Sequence, residues 1–264
     1  MSAPDGRIAV RREGAIGWVV FENVAKHNAI SMAMAEAMPG VMTALERDPD
    51  VRVVVLAGAG ERAFAAGSDI SGFGDVRADP DANHRYHAVN EASYEAVYAC
   101  AKPTIAMIRG YCIGGGLDFA ASCDVRIAAD DAKFAIPAGR LGLGYGHEGV
   151  RRLGRAMGLA RARDMFLSAR RLSAAEALDS GLLHRVVPAA SLEPETRAYA
   201  LTVADNAPLT LAALKRDFLE YEKPVAERDT ARMQAMIDAC FASEDYREGR
   251  AAFAAKRKPQ FNGR

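Results

Sequence analysis

Two short glycine segments carry most of the chemical information in this chain. One is Phe64-Ala65-Ala66-Gly67-Ser68-Asp69-Ile70; the other is Gly114-Gly115-Gly116-Leu117-Asp118-Phe119. Each follows an apolar run, precedes an expected helix and keeps its side chains small. Two such turns can aim two backbone N–H groups at one oxygen, which stabilises a thioester oxyanion or enolate. Consecutive glycines are unfavourable inside a strand or helix, so the run at 114–116 is placed for geometry. The helix start behind it adds the positive end of a dipole. Close packing at a strand-to-helix turn would use the same glycines, and Asp69 also suits a turn cap.

A second group of polar residues lies in the glycine-rich stretch 139–149, which carries Tyr145, His147 and Glu148. All three can move protons, and a glycine background suits an active-site rim as well as a solvated loop. Gly144-x-Gly146-x-x-Gly149 matches the dinucleotide fingerprint only formally, because no strand runs into it. His84 and His87 are spaced i, i+3 without an acidic or cysteine partner nearby, so they predict a helix face and no metal site. There is no nucleophile elbow and no P-loop. Lys256-Arg257-Lys258 forms a basic cluster that suits a phosphate contact or a solvated tail.

The elements that must hold these residues follow from periodicity. Residues 8–12 and 16–22 predict a hairpin turning at Gly14. Residues 31–47 have helical spacing, with Pro39 expected to kink or split the helix. Residues 51–57 and 104–108 predict buried strands, and 82–100 a helix between them. A short helix is expected from the three glycines to Cys123. Strands follow at 125–128 and 133–136, and a last one at 184–187. Ser173-Ala174-Ala175-Glu176 is a capping box, and Pro208 opens a helical tail that reaches Phe253. Strands alternate with helices to about residue 188 and helices dominate afterwards, which predicts α/β with a helical appendage.

Composition narrows the class further. Half of the 264 residues are apolar, and 34 basic residues balance 34 acidic ones. A zero net charge gives no global field for nucleic acid or an anionic membrane. No apolar run approaches the ~20 residues of a membrane span, and the N-terminus lacks signal-peptide features. The four cysteines form no C-x-x-C pair, so reduced thiols in a cytoplasmic protein are expected.

Taken together, the segments resemble the enoyl-CoA hydratase/isomerase (crotonase) superfamily over nearly the whole chain. The likeness runs through Lys26-His27-Asn28-Ala29-Ile30, the two glycine segments, Lys102-Pro103-Thr104, Cys123-Asp124, residues 172–187 and the end from Phe253 to Gly263. It implies a spiral of ββα turns over residues 1–200. It also implies a helical C-terminal region over 201–264 that forms a homotrimer or a dimer of trimers. The substrate is expected to be an acyl-CoA thioester, with coenzyme A arriving as part of it and no permanently bound cofactor. By position, the N–H groups of Ser68 and Gly115 would form the oxyanion hole. Ala66, Asp69 and Ile70 would line the adenine and pantetheine slot. Lys26 and the Phe253/Lys256 end, from the same or a neighbouring subunit, would meet the CoA phosphates and ribose.

The same resemblance exposes departures. The two glutamates of the family's hydratases fall at Asp118, one methylene shorter, and at Ala138, which cannot carry a proton. Acid–base groups commonly contribute ~10²–10⁴-fold, so the change bears on the reaction. Asp118 and Glu148 are the candidates for moving water or protons, with Tyr145 positioning or protonating. Tyr145 and the 243–246 and 256–259 segments also resemble the family's methylmalonyl-CoA decarboxylase, although that enzyme has histidine where this chain has Ser68. Hydration or isomerisation, decarboxylation of a malonyl-type CoA, and a non-catalytic CoA- or RNA-binding role therefore remain open. The loop over 72–90 is expected to select the acyl group.

Overall fold

The computed structural model describes residues 6–69 and 79–264. β1 (Arg7–Glu13) and β2 (Ile16–Glu22) form the expected hairpin, with Glu13 opposite Ile16. Gly14 makes the turn at φ +57°. β2 then pairs in parallel with β3 (Val53–Gly58). β5 (Thr104–Ile108), β7 (Val125–Ala129) and β10 (Arg185–Val187) extend the sheet in the order β1-β2-β3-β5-β7-β10. Its central strands read as unbroken apolar runs because both faces are covered.

A second, four-stranded sheet has the order β4 (Ala63–Ala65), β6 (Tyr111–Ile113), β8 (Lys133–Ala135), β9 (Leu172–Ser173). Successive pairs β3/β4, β5/β6 and β7/β8 thus give one strand to each sheet. A helix follows each pair among the described residues: α2 (Pro80–Tyr98), α3 (Gly115–Ser122) and α4 (Ala138–Leu141). This is the expected spiral of ββα turns. β4, β6, β9 and α4 are absent from the sequence expectation: β4 and β6 run straight into the glycine turns, and β9 and α4 have two and four residues.

α1 (Met32–Arg47) starts at Ser31, whose Oγ accepts from Met34 N at 3.2 Å. Of the two outcomes expected at Pro39, a kink or a split, the split does not occur: the helix runs unbroken through it. Proline removes a single helical N–H donor, and the buried stripe Met34, Met38, Met42 and Leu45 continues on both sides of it. Asp79 caps α2, accepting from Ala82 N at 2.8 Å. α5 (His147–Met157) and α6 (Leu159–Ser168) follow the glycine-rich stretch. α7 (Ala174–Asp179) carries the expected capping box of Ser173 and Glu176.

α8 (Leu192–Ala204) crosses residue 200 without a break and packs Leu192, Ala200 and Ala204 against Trp18, Val53 and Val55 of the larger sheet. α9 (Pro208–Tyr221), α10 (Thr230–Ala242) and α11 (Glu244–Ala254) complete the chain. Lys215 joins α9 to the core, since its buried Nζ donates to Asp124 Oδ2 at 2.7 Å and to the Lys102 carbonyl at 2.9 Å.

The two sheets bring the glycine segments together at the start of α3. A Cβ on Gly116 would stand 2.2 Å from the Ala65 carbonyl oxygen, so α3 packs directly on the backbone of β4. Backbone cannot swing aside as a side-chain tip can. Gly116→Ala is therefore expected to destabilise the fold by about 1–3 kcal/mol, read as a lower midpoint in urea denaturation with an unchanged slope.

Candidate active site

The first glycine turn is stitched to residues 26–30. Ala66 N donates to His27 O at 3.0 Å, Ile30 N to Gly67 O at 2.8 Å and Asp69 N to Ile30 O at 2.8 Å. The bonds of Ile30 thus go to the residues on either side of Ser68. In such a parallel pairing the N–H of Ser68 itself points away from Ile30. Asn28 explains why this stretch is shaped as it is. It is buried at φ +56°, and its Nδ2 donates to the carbonyls of Ala59 and Ala63 at 2.9 and 2.8 Å. Its Oδ1 accepts from Asn23 N at 3.1 Å. Asparagine tolerates the left-handed region better than most residues, and here its amide fastens the loop to β4.

The second turn is made by Gly114, at φ +51° and ψ −124°, conformations open to glycine. Its N–H donates to Ala135 O at 2.9 Å, and its carbonyl accepts from Leu117 N and Asp118 N. Gly115 is the first residue of α3, so its N–H lies among the donors a helix cannot satisfy internally. The turns touch: a Cβ on Gly114 would stand 3.7 Å from Gly67 Cα, and one on Gly115 would stand 3.5 Å from Ser68 Oγ.

Both turns open into a cavity of about 540 Å³. Of the residues predicted for the site, Lys26, Ala66, Ser68, Asp69, Gly115, Asp118 and Tyr145 line it. Lys26 Nζ and Asp69 Oδ2 are 2.6 Å apart at its edge. Ile70 and the 72–78 part of the expected acyl-selecting loop lie outside the described residues. Three predicted residues are elsewhere. Glu148 is half-exposed on the first turn of α5 and pairs with Arg151 at 2.8 Å, facing along the helix surface and not into the cavity. Phe253 is 88% exposed beside Phe241 and Tyr246, and Lys256 is exposed just beyond α11.

Asp118 is the chemical centre. It is buried in the first turn of α3, where the helix dipole favours an anion. Its Oδ1 accepts from Arg152 Nη1 at 2.9 Å, and its Oδ2 accepts from the Tyr145 hydroxyl. Burial pushes its carboxyl up to about 6, against the opposing pull of the Arg152 charge and the two hydrogen bonds. Arg152 is itself buried; its Nη2 donates to Glu91 at 2.7 Å and its guanidinium stacks 4.8 Å above the Tyr94 ring. Burial raises the hydroxyls of Tyr145 and Tyr94 well above the usual phenol value, so both are neutral. Gly149 lets this arrangement close, because a Cβ there would stand 2.4 Å from the Tyr145 ring.

The sequence does not single out Arg152, Glu91 or Tyr94. Tyr86, His87 and Asn90 fall within the 72–90 range expected to select the acyl group and line the cavity, but from residue 80 onward that range is the helix α2 and not a loop. Residues 87, 90, 91 and 94 lie on one face of α2, spaced i, i+3, i+4, i+7. That period was the available signal, although a polar stripe of this kind is also what a solvent-facing helix shows. Among the described residues no group of three or more His, Cys, Asp or Glu could hold a metal ion. None of the described helices is long and apolar enough to cross a membrane.

The enoyl-CoA hydratase/isomerase family matches residues 11–264. The chain belongs to this family. It is 38% identical over 262 residues to a Mycobacterium tuberculosis protein named "Probable enoyl-CoA hydratase", covering 97% of this chain and 98% of the relative. It is 36% identical over 243 residues to the carnitinyl-CoA dehydratase of Proteus mirabilis, covering 90% and 92%. Among solved structures, an enoyl-CoA hydratase/carnithine racemase from Magnetospirillum magneticum superposes with a TM-score of 0.91 at 34% identity, over 97% of this chain and 96% of that one. As a member of the family, this chain is an acyl-CoA enzyme of the mixed α/β crotonase fold, the class and fold its motifs resembled.

Within that family frame the departures take physical form. Ala138 lines the cavity and offers no acid there, while Asp118 keeps a carboxyl with a buried arginine behind it. An opposite charge in contact favours the ionised carboxylate. Arg152→Met should therefore move the Asp118 titration upward from about 6. Carboxyl carbon NMR of labelled protein reads this directly; a titration left in place would show that Arg152 does not govern the charge.

Proposed function

We propose that this chain forms a thioester enolate from an acyl-CoA and moves a proton on its acyl carbons with a single carboxyl group, that of Asp118. The observation that carries this reading is the buried Asp118–Tyr145 pair in the cavity onto which both glycine turns open. The thioester oxygen would sit between the N–H groups of Ser68 and Gly115, which gain strength as negative charge develops there. In hydration, the Asp118 carboxylate takes a proton from water as oxygen bonds to the β carbon. The electron pair passes to the thioester oxygen, and the same proton then goes to the α carbon. Tyr145 holds the carboxylate in place through both steps. Glu148 has no part in this reading, because it is paired with Arg151 outside the cavity.

Lys26, with Ala66 and Asp69 beside it, suits the adenine and phosphate end of coenzyme A. The exposed Phe253 and Lys256 suit the same ligand in a neighbouring subunit of a trimer. The alanine at the cavity wall favours a second reading, decarboxylation of a malonyl-type CoA. Loss of CO₂ leaves the electron pair of the broken bond as the enolate, so no base is needed, and the two N–H groups would serve it unchanged.

Incubation of the purified protein with crotonyl-CoA and methylmalonyl-CoA, followed by mass spectrometry, separates the readings. Gain of water on the first supports single-carboxyl hydration, and loss of CO₂ from the second supports decarboxylation. Gly115→Pro removes one donor and should abolish either reaction; wild-type turnover by a folded Gly115→Pro protein would sink the oxyanion assignment.

A pH profile tests the role of Asp118. A base works in its ionised form, so kcat/KM should fall below about pH 6 and level off above it. In Asp118→Asn the remaining activity should be about 10²-fold lower or less and should lose that limb.

A further inference from the structure

Tyr94 packs its hydroxyl against the second glycine turn. A Cβ built on Gly115 would stand 2.6 Å from Tyr94 Oη, nearer than the 3.5 Å to Ser68 Oγ. The backbone of Gly115, the side chain of Ser68 and the hydroxyl of Tyr94 therefore surround one point at the cavity wall. Tyr94 lines the cavity and is only 5% exposed. Among the described residues its hydroxyl makes no hydrogen bond, and interactions with it are electrostatic or through the ring.

The ring cannot turn the hydroxyl elsewhere. It packs edge-on against Phe119 with centroids 4.7 Å apart, and the Arg152 guanidinium covers its face at 4.8 Å. A cation on the ring face draws electron density from the phenol, which improves its O–H as a donor. Burial keeps that O–H protonated. The hydroxyl oxygen is not sealed off but opens on the cavity, where an incoming oxygen can accept from it.

We propose that Tyr94 is a catalytic residue whose hydroxyl donates a third hydrogen bond to the thioester oxygen, beside the N–H groups of Gly115 and Ser68. This rests on the enolate reading above and adds a side-chain donor to two backbone ones. It also accounts for glycine at position 115, since a side chain there would occupy the space of the phenol oxygen.

The test uses acetoacetyl-CoA, whose enolate absorbs in the near ultraviolet, bound to the intact protein and titrated with acid and base. On the wild-type protein the bound thioester should form its enolate at lower pH than it does free in solution. In Tyr94→Phe, which keeps the ring and its two packing contacts, the titration should move back up by about one pH unit or more, tenfold in the enolate equilibrium. A titration of Tyr94→Phe that matches wild type would overturn the role of Tyr94 and leave the two N–H donors standing. A wild-type titration no lower than that of free acetoacetyl-CoA would overturn the enolate reading itself. If Tyr94→Phe does not fold, a fluorotyrosine placed at Tyr94 serves instead. As a stronger donor it should lower the titration further, and an unmoved titration would count against the proposal.

Discussion

The buried charge on Asp118 is the constraint around which this site is organised. A carboxylate taken out of water is costly unless it is paired and hydrogen-bonded. Arg152 and Tyr145 meet that demand, one at each oxygen. Arg152 then has to be satisfied in its turn, which draws in Glu91 and the face of Tyr94. One ionised group in the first turn of α3 thus fixes the relative positions of α2, α3 and α5. Replacing any member leaves another buried polar group exposed to the same cost. The carboxyl that emerges is neither a strong acid nor inert: at about 6 it changes charge close to neutrality, which is what a group that must both take and give a proton requires.

The backbone half of the site depends on a different device, the omission of side chains. Gly115, Gly116 and Gly149 each face a neighbour that a Cβ would strike: the Tyr94 hydroxyl, the Ala65 carbonyl and the Tyr145 ring. Only the first two lie in the glycine segments that stand out in the sequence. Gly149 belongs to a stretch whose spacing imitates a dinucleotide fingerprint, yet its role is to let Tyr145 lie against α5. A glycine pattern therefore reports that something comes close without reporting what. Only the fold tells a ligand from an aromatic ring.

Much of the architecture was legible for reasons that can be named. The apolar runs at Val53–Gly58 and Thr104–Ile108 announce interior strands, and the serine and glutamate of the capping box announce α7. β4 and β9 were not legible, because β4 runs straight into its glycine turn and β9 is two residues long, whereas the equally short β8 and β10 stand out as apolar runs between polar residues. In the site, most predicted residues that line the cavity sit in the two glycine turns, with Lys26 and Tyr145 from other segments, whereas Arg152, Glu91 and Tyr94 carry no such local mark. Arg152 looks like any arginine of a charged helix; its burial depends on α3 packing against α5. Glu148 shows the opposite error. It lies in a suggestive stretch, but the buried face of α5 carries Gly149, Arg152 and Leu153, and Glu148 sits beside that face with Arg151 as its partner.

A single carboxyl at the reacting bond, with Asp69 and Glu91 elsewhere on the cavity wall paired to Lys26 and Arg152, can be weighed against what surrounds it. Two carboxyls facing one reacting bond divide the work, one activating water while the other supplies a proton. A single carboxyl can still do both in sequence if the proton it takes is the proton it returns, provided that the enolate survives between the steps. That places the burden on the oxygen side of the substrate. The surroundings of Gly115 are consistent with such a shift, since a neutral phenol is packed against the turn in addition to the backbone donors. Decarboxylation makes the same demand, because it too creates the enolate before any proton arrives. The two chemistries thus differ in how the enolate is reached and agree on what must hold it. On the proposed reading, the held oxygen, more than the carboxyl count, is what the site must serve.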